Sequence, residues 1–148
     1  GMCSERMGKR CFPLGLFASI GFVAAIALIY FKLPLIIALF LLFFLGLGTS
    51  GQSLSFAVIR DINHPKRVAT AMGVNNLAVV AGGALGQPLI GWLINTGWHG
   101  RMLNGVRDYS IHDFQRALFI VPLAYFIAAL LAKFYIRETN CLPISTET

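Results

Sequence analysis

Amides and hydroxyls recur inside long uncharged stretches of this chain: Gln52 with Ser55 close behind it, and further along Asn76 and Gln87. Buried in an apolar stretch, an amide donates and accepts hydrogen bonds but offers neither a nucleophile nor a titratable proton, so its chemistry is recognition of a small polar solute. At about 100° per residue, Asn76, Gly83 and Gln87 fall on one face of a helix, while Asn75, Gly82 and Gly86 fall on an adjacent face. The first face is a candidate cavity wall. The second carries the GxxxG spacing of Gly82 and Gly86, which suits close packing against another helix. Gly48, Gln52 and Ser55 share a face in the preceding stretch, with Thr49 and Ser53 beside it. Gln52, Asn76 and Gln87 are therefore the substrate-cavity candidates. Buried amides of this kind also serve simply to bond a neighbouring helix, and both readings stand for these three residues.

The remaining reactive side chains do not assemble into an enzyme. His64, His99 and His112 are isolated near or within loops, with no HExxH and no serine–histidine–acid arrangement. All six acids, Glu5, Asp61, Asp108, Asp113, Glu138 and Glu147, fall in loops, at the ends of apolar runs or in the tail. No carboxylate stands at mid-membrane depth to carry a proton. Cys3, Cys11 and Cys141 are an odd number without paired metal spacing, so neither a disulfide framework nor a zinc site is indicated. The expectation is no catalytic residue, no metal and no cofactor.

The elements that must position the amides follow from composition. With 57% hydrophobic and 12% charged residues and a mean hydropathy of +0.73, the chain suits lipid rather than water. The net charge of +6 comes from bases scattered between apolar runs, with no stripe that could track phosphates, so nucleic acid is not a partner. A helix needs about 20 apolar residues to cross the hydrocarbon core. The charge-free runs Phe12 to Phe31, Leu33 to Ile59 and Val68 to Trp98 meet that length. Ala117 to Ala132 reaches it because Lys133 can snorkel and Phe134 to Ile136 continue the run. This predicts an all-α polytopic membrane protein, one unit over residues 1–148 with spans at 12–31, 34–59, 68–94 and 114–136. Lys32-Leu33-Pro34 and the segment from Asp61 to Lys66 are short connections, Pro88 kinks the third span, and Ser110 to Asp113 forms a capping box opening the fourth. Bases on one side are Arg6, Lys9, Arg10, Arg60, Lys66, Arg67, Lys133 and Arg137, against Lys32, Arg101, Arg107 and Arg116 on the other. Eight against four predicts both termini cytoplasmic. The first and fourth spans are almost wholly apolar and are expected to be the outer pair.

The segment before the first span carries the most specific pattern: Gly1, then Glu5, Arg6, Gly8, Lys9 and Arg10. It resembles the signature loop of the major facilitator superfamily, and the resemblance continues through Gly46 to Gly51, Pro65 to Gly73 and the glycine-rich third span. It implies a secondary active transporter that moves a small solute by alternating access, with these spans corresponding to helices nine to twelve of the C-terminal six-helix half. In that family helices ten and eleven border the cavity, in agreement with the polarity of the second and third spans. The resemblance further implies that Gly1, Glu5, Arg6, Gly8, Lys9 and Arg10 belong to a cytoplasmic gate that latches against the opposite half, whose contacts break as the halves rock apart. The implied partners are membrane lipid, a small-molecule substrate, and the remaining transporter helices or another subunit. The implied location is the bacterial inner membrane, and the chain alone is expected to be an incomplete transporter. Two other classes compete: a four-span membrane adaptor binding through the GxxxG face, and an oligomeric small multidrug-type exporter.

Overall fold

The computed structural model describes residues 9–136 and residue 138. Lipid offers the backbone no partner, and the long uncharged segments satisfy it internally as helix. Four helical spans are long and apolar enough to cross a membrane: Cys11–Tyr30, Leu35–Ile62, Pro65–Thr96 and Ile111–Phe134. The first is a single helix, α1 (Cys11–Tyr30); the second divides into α2 (Leu35–Thr49) and α3 (Gly51–Ile62). The third is α4 (Pro65–Thr96), and the fourth divides into α5 (Ile111–Leu118) and α6 (Ile120–Phe134).

Both divisions have local causes. At the first, the Thr49 and Ser50 hydroxyls donate at 2.6 Å to the carbonyls of Gly46 and Leu47, and the Ser50 N–H turns to Leu47 O at 3.0 Å. Side-chain donors thereby compete for carbonyls that a regular helix would use. At the second, Pro122 has no N–H to offer the carbonyl of Leu118, and the helix breaks at Phe119. Pro88, by contrast, does not end α4, which remains helical on both sides of it.

Helix starts follow the sequence signals. Pro34 stands extended before α2, and Pro65 is the first residue of α4, where its missing N–H costs nothing. The capping box is formed: Ser110 Oγ accepts from the Asp113 N–H at 3.3 Å, and the Ser110 N–H donates to Asp113 Oδ2 at 2.8 Å. The connection between α4 and α5 contains the only strands among the described residues. Met102–Leu103 and Val106–Arg107 pair antiparallel, joined by Asn104 (φ 51°) and Gly105 (φ 81°). Positive φ at both turn residues matches the twist of a hairpin, and Asn-Gly is the dipeptide that adopts it most readily. Arg107 donates to Asn95 Oδ1 and lies over the Trp98 ring, 4.7 Å from its centroid, fixing the hairpin to the end of α4.

Packing centres on α1, which lies mainly against α2 and α6. Its buried residues are small: Pro13, Ala18, Gly21, Ala24 and Ala25. At Gly21 the fit is closest, because a Cβ there would come within 2.4 Å of the Tyr125 ring. From the other side, a Cβ at Gly48 would lie 3.0 Å from Gly21 Cα. Among the described residues the nearly apolar first and fourth spans are thus the best packed of the four. No residue of α4 is buried. In α1 small residues let the neighbouring helices approach closely; α4 is also rich in glycine and alanine, yet Gly82, Gly83 and Gly86 meet no described residue.

Candidate functional site

The end of the bundle from which α1 starts carries a charged cluster. An α-helix leaves its first N–H groups without acceptors, and a carboxylate placed there meets both that need and the positive end of the helix dipole. Glu138, just beyond α6, does this for α1: Oε1 accepts from the Arg10 N–H at 2.6 Å and Oε2 from the Cys11 N–H at 2.9 Å. The Arg10 side chain turns the other way, and its Nε donates to Asp61 Oδ2 at 2.9 Å. Both side chains of this pair are withdrawn from solvent, at 3% and 2% exposure. Arg60 reaches the other Asp61 oxygen only at 3.9 Å and is itself 62% exposed. Asp61 lies in the last turn of α3, immediately before the short passage to α4. One cluster therefore joins the start of the first span, the finish of the second and the finish of the fourth.

Deeper in the bundle, a cavity of about 550 Å³ opens between α1, α2, α3, α4 and α6. Its polar lining is Thr49, Gln52, Ser55, Asn75 and Tyr125. Most of this polarity is already committed: Thr49 donates to Gly46 O, Ser55 donates to Gln52 O at 2.7 Å, and Asn75 Nδ2 donates to Ser55 Oγ at 3.2 Å. Gln52 differs. Its side-chain amide has no hydrogen-bond partner among the described residues, so its donors and acceptor remain open to whatever enters.

Of the sequence-predicted residues, Gln52 lines this cavity, whereas Asn76 and Gln87 do not and stand exposed on α4. Their neighbour Asn75 enters it instead, bonded to α3. A Cβ added at Gly82 or Gly86 would meet nothing within 4 Å, so at these two positions α4 has no described neighbour against it. Of the gate residues, Arg10 is buried in the cluster and Lys9 is exposed, while Gly1, Glu5, Arg6 and Gly8 lie outside the described residues. Cys3 and Cys141 lie outside them too, as does Arg137. Among the described residues no group of histidine, cysteine and acidic side chains could hold a metal ion.

Sequence reasoning did not single out Asp61, Glu138 or Tyr125. A signal existed for the acids: both stand at span ends on the side assigned to Arg10, where an opposite charge is the natural partner. Comparison with known proteins gives one match, the sequence model of the Major Facilitator Superfamily, over residues 1–141. No curated protein and no solved structure matches the chain.

Proposed function

The chain belongs to the major facilitator superfamily, a family of membrane transporters and not of enzymes, and we propose that it forms the C-terminal part of a secondary active transporter, helices nine to twelve with the loop before them. In this reading it moves a small solute by alternating access in the bacterial inner membrane, with both termini cytoplasmic. It acts together with the remaining transporter helices, as one partial transporter domain. The observation that carries the reading is the buried Arg10–Asp61 pair with Glu138 on the start of α1. Rocking of one half of a transporter against the other requires each half to move as a body. A cluster that binds three span ends makes such a body at the end where the signature loop enters. Glu5 and Arg6 precede Arg10 by a few residues in the sequence, and in this reading they latch against the opposite half. Gln52, open to the cavity, and Asn76 and Gln87, on the uncovered side of α4, supply the solute contacts.

The test is made in the complete transporter, with spin labels on the two halves and distances measured across the cytoplasmic side. Glu5→Gln and Arg6→Ala each shift the inward/outward ratio by about tenfold or more, the effect of a charged hydrogen bond contributing about 1.5–3 kcal/mol to one state only. Unchanged distance distributions in both variants would leave the pair as surface charge and remove the gate.

A further inference from the structure

The seam between α1 and α6 has two sides. The cavity that Gln52 lines opens on one of them, toward α2, α3 and α4. On the other, where none of those helices contributes a residue, lies a second groove of about 510 Å³. Its floor is made of small residues, Gly15, Ala129 and Ala132, and its walls include Phe12, Leu16 and Leu130. The few polar atoms in it are spent internally: Ser19 Oγ donates to Gly15 O at 2.8 Å and Cys11 Sγ donates to Ile136 O at 3.4 Å. Nothing along the groove asks for a polar ligand. At its mouth, however, stands Lys133, exposed and without an acidic partner among the described residues, its Nζ 5.4 Å from the Phe134 ring centroid.

We infer that this groove is a binding site for an anionic phospholipid, one acyl chain lying along Gly15, Ala129 and Ala132 and the phosphate meeting Lys133. Such a site requires only that the chain sit in a membrane, and none of the transport assignments. An apolar furrow that starts at the membrane end of two spans, runs inward from it and turns away from the other helices is filled by a lipid tail. The lysine at the rim selects the headgroup, because a cation near the interface attracts a phosphate that carries net negative charge. The groove thus combines the two features of lipid recognition, shape for the tail and charge for the head.

Native mass spectrometry of the purified full-length protein, titrated with phosphatidylglycerol or phosphatidylcholine, tests this. Phosphatidylglycerol should be retained more tightly than phosphatidylcholine, and Lys133→Gln should weaken its retention about fivefold, the factor one lysine supplies near an anionic surface. Ala129→Phe, which fills the groove from a partly exposed position, should remove that tight retention with Lys133 intact. Lys66→Gln, an exposed base at the same end of the bundle but on α4, should leave retention unchanged. Equal retention of the two lipids, or an equal loss from Lys66→Gln, would overturn the site in favour of diffuse surface charge. Full retention in the Ala129→Phe variant would overturn the groove as the seat.

Discussion

Removing the Asp61 carboxylate tests how the charged end of the bundle is held. Arg10 Nε and Asp61 Oδ2 are 2.9 Å apart, and the two side chains are 3% and 2% exposed. Asp61→Leu therefore leaves a guanidinium withdrawn from water with its principal counter-charge gone, a loss of about 3–5 kcal/mol. Arg60 cannot replace that partner, being itself a base, and Arg60→Gln should cost no more than about 1 kcal/mol, as for other exposed pairs. Arg10→Met exposes the reciprocal defect, an acid without its arginine. It leaves the Glu138 bonds in place, because those reach the backbone N–H groups of Arg10 and Cys11. Arg10→Met with Asp61→Leu removes both charges at once and fills the site with apolar groups. The loss in the double variant should then fall well short of the sum of the single losses, with a coupling of about 2 kcal/mol or more. Unfolding of the purified protein by denaturing detergent, followed by fluorescence, reads all four corners of the cycle. Strict additivity would show that the pair is not a buried, mutually dependent contact, and the rigid-end argument would go with it.

The helix crossing and the cavity each give a further expectation. Gly21→Ala places a methyl group against the Tyr125 ring, and Tyr125 must shift, so thermal unfolding should show a loss of about 1–3 kcal/mol; Gly82→Ala, which meets no described atom, should leave this crossing unaffected. Gln52→Leu should weaken solute binding by about 0.5–3 kcal/mol with expression retained, in a binding assay on the full transporter, and Asn76→Leu should do the same if its face of α4 borders the solute path. Normal affinity in both variants would assign these amides to contacts between helices.

The four spans were legible because length against hydrocarbon thickness is a direct comparison, and the capping box because Ser110 and Asp113 carry their own geometry. The breaks at Ser50 and Phe119 escaped a count of charge-free residues, which sees apolarity but not competing hydroxyls or a missing N–H. The hairpin has a signal in the sequence, Asn104-Gly105, in the segment between the third and fourth spans, to which the search for apolar runs assigns no element. The Gly21 and Gly48 crossing was not legible, since neither glycine needs a GxxxG partner in its own helix and the ring that fills Gly21 comes from Tyr125 in the last span. Asn75 and Asn76 differ by about 100° on the helix, and only the position of Ser55 decides which one enters the cavity. The charged cluster was half visible. Arg10 lay inside the recognised loop pattern, but its partners Asp61 and Glu138 come from segments that only the fold brings to it.

These contacts divide the chain into parts with different duties. α1, α2 and α6 meet at Gly21, Gly48 and Tyr125, and the same bundle is tied at one end by Arg10, Asp61 and Glu138. α4 has no such core. Near its start Asn75 bonds Ser55, and at its far end it meets α5, where a Cβ at Gly97 would come within 2.6 Å of Asp113 Oδ1. Between these points Gly82, Gly83 and Gly86 have no neighbour within 4 Å of an added Cβ, and Gln87 stands exposed. A helix fixed near its ends and uncovered between them takes its mid-span position from whatever packs there, because few buried contacts of its own oppose a shift. The transport reading proposed above would use that division: the tied bundle would move as one body carrying the proposed gate, and the span beside it would bring its polar side chains to the solute and to the opposite half.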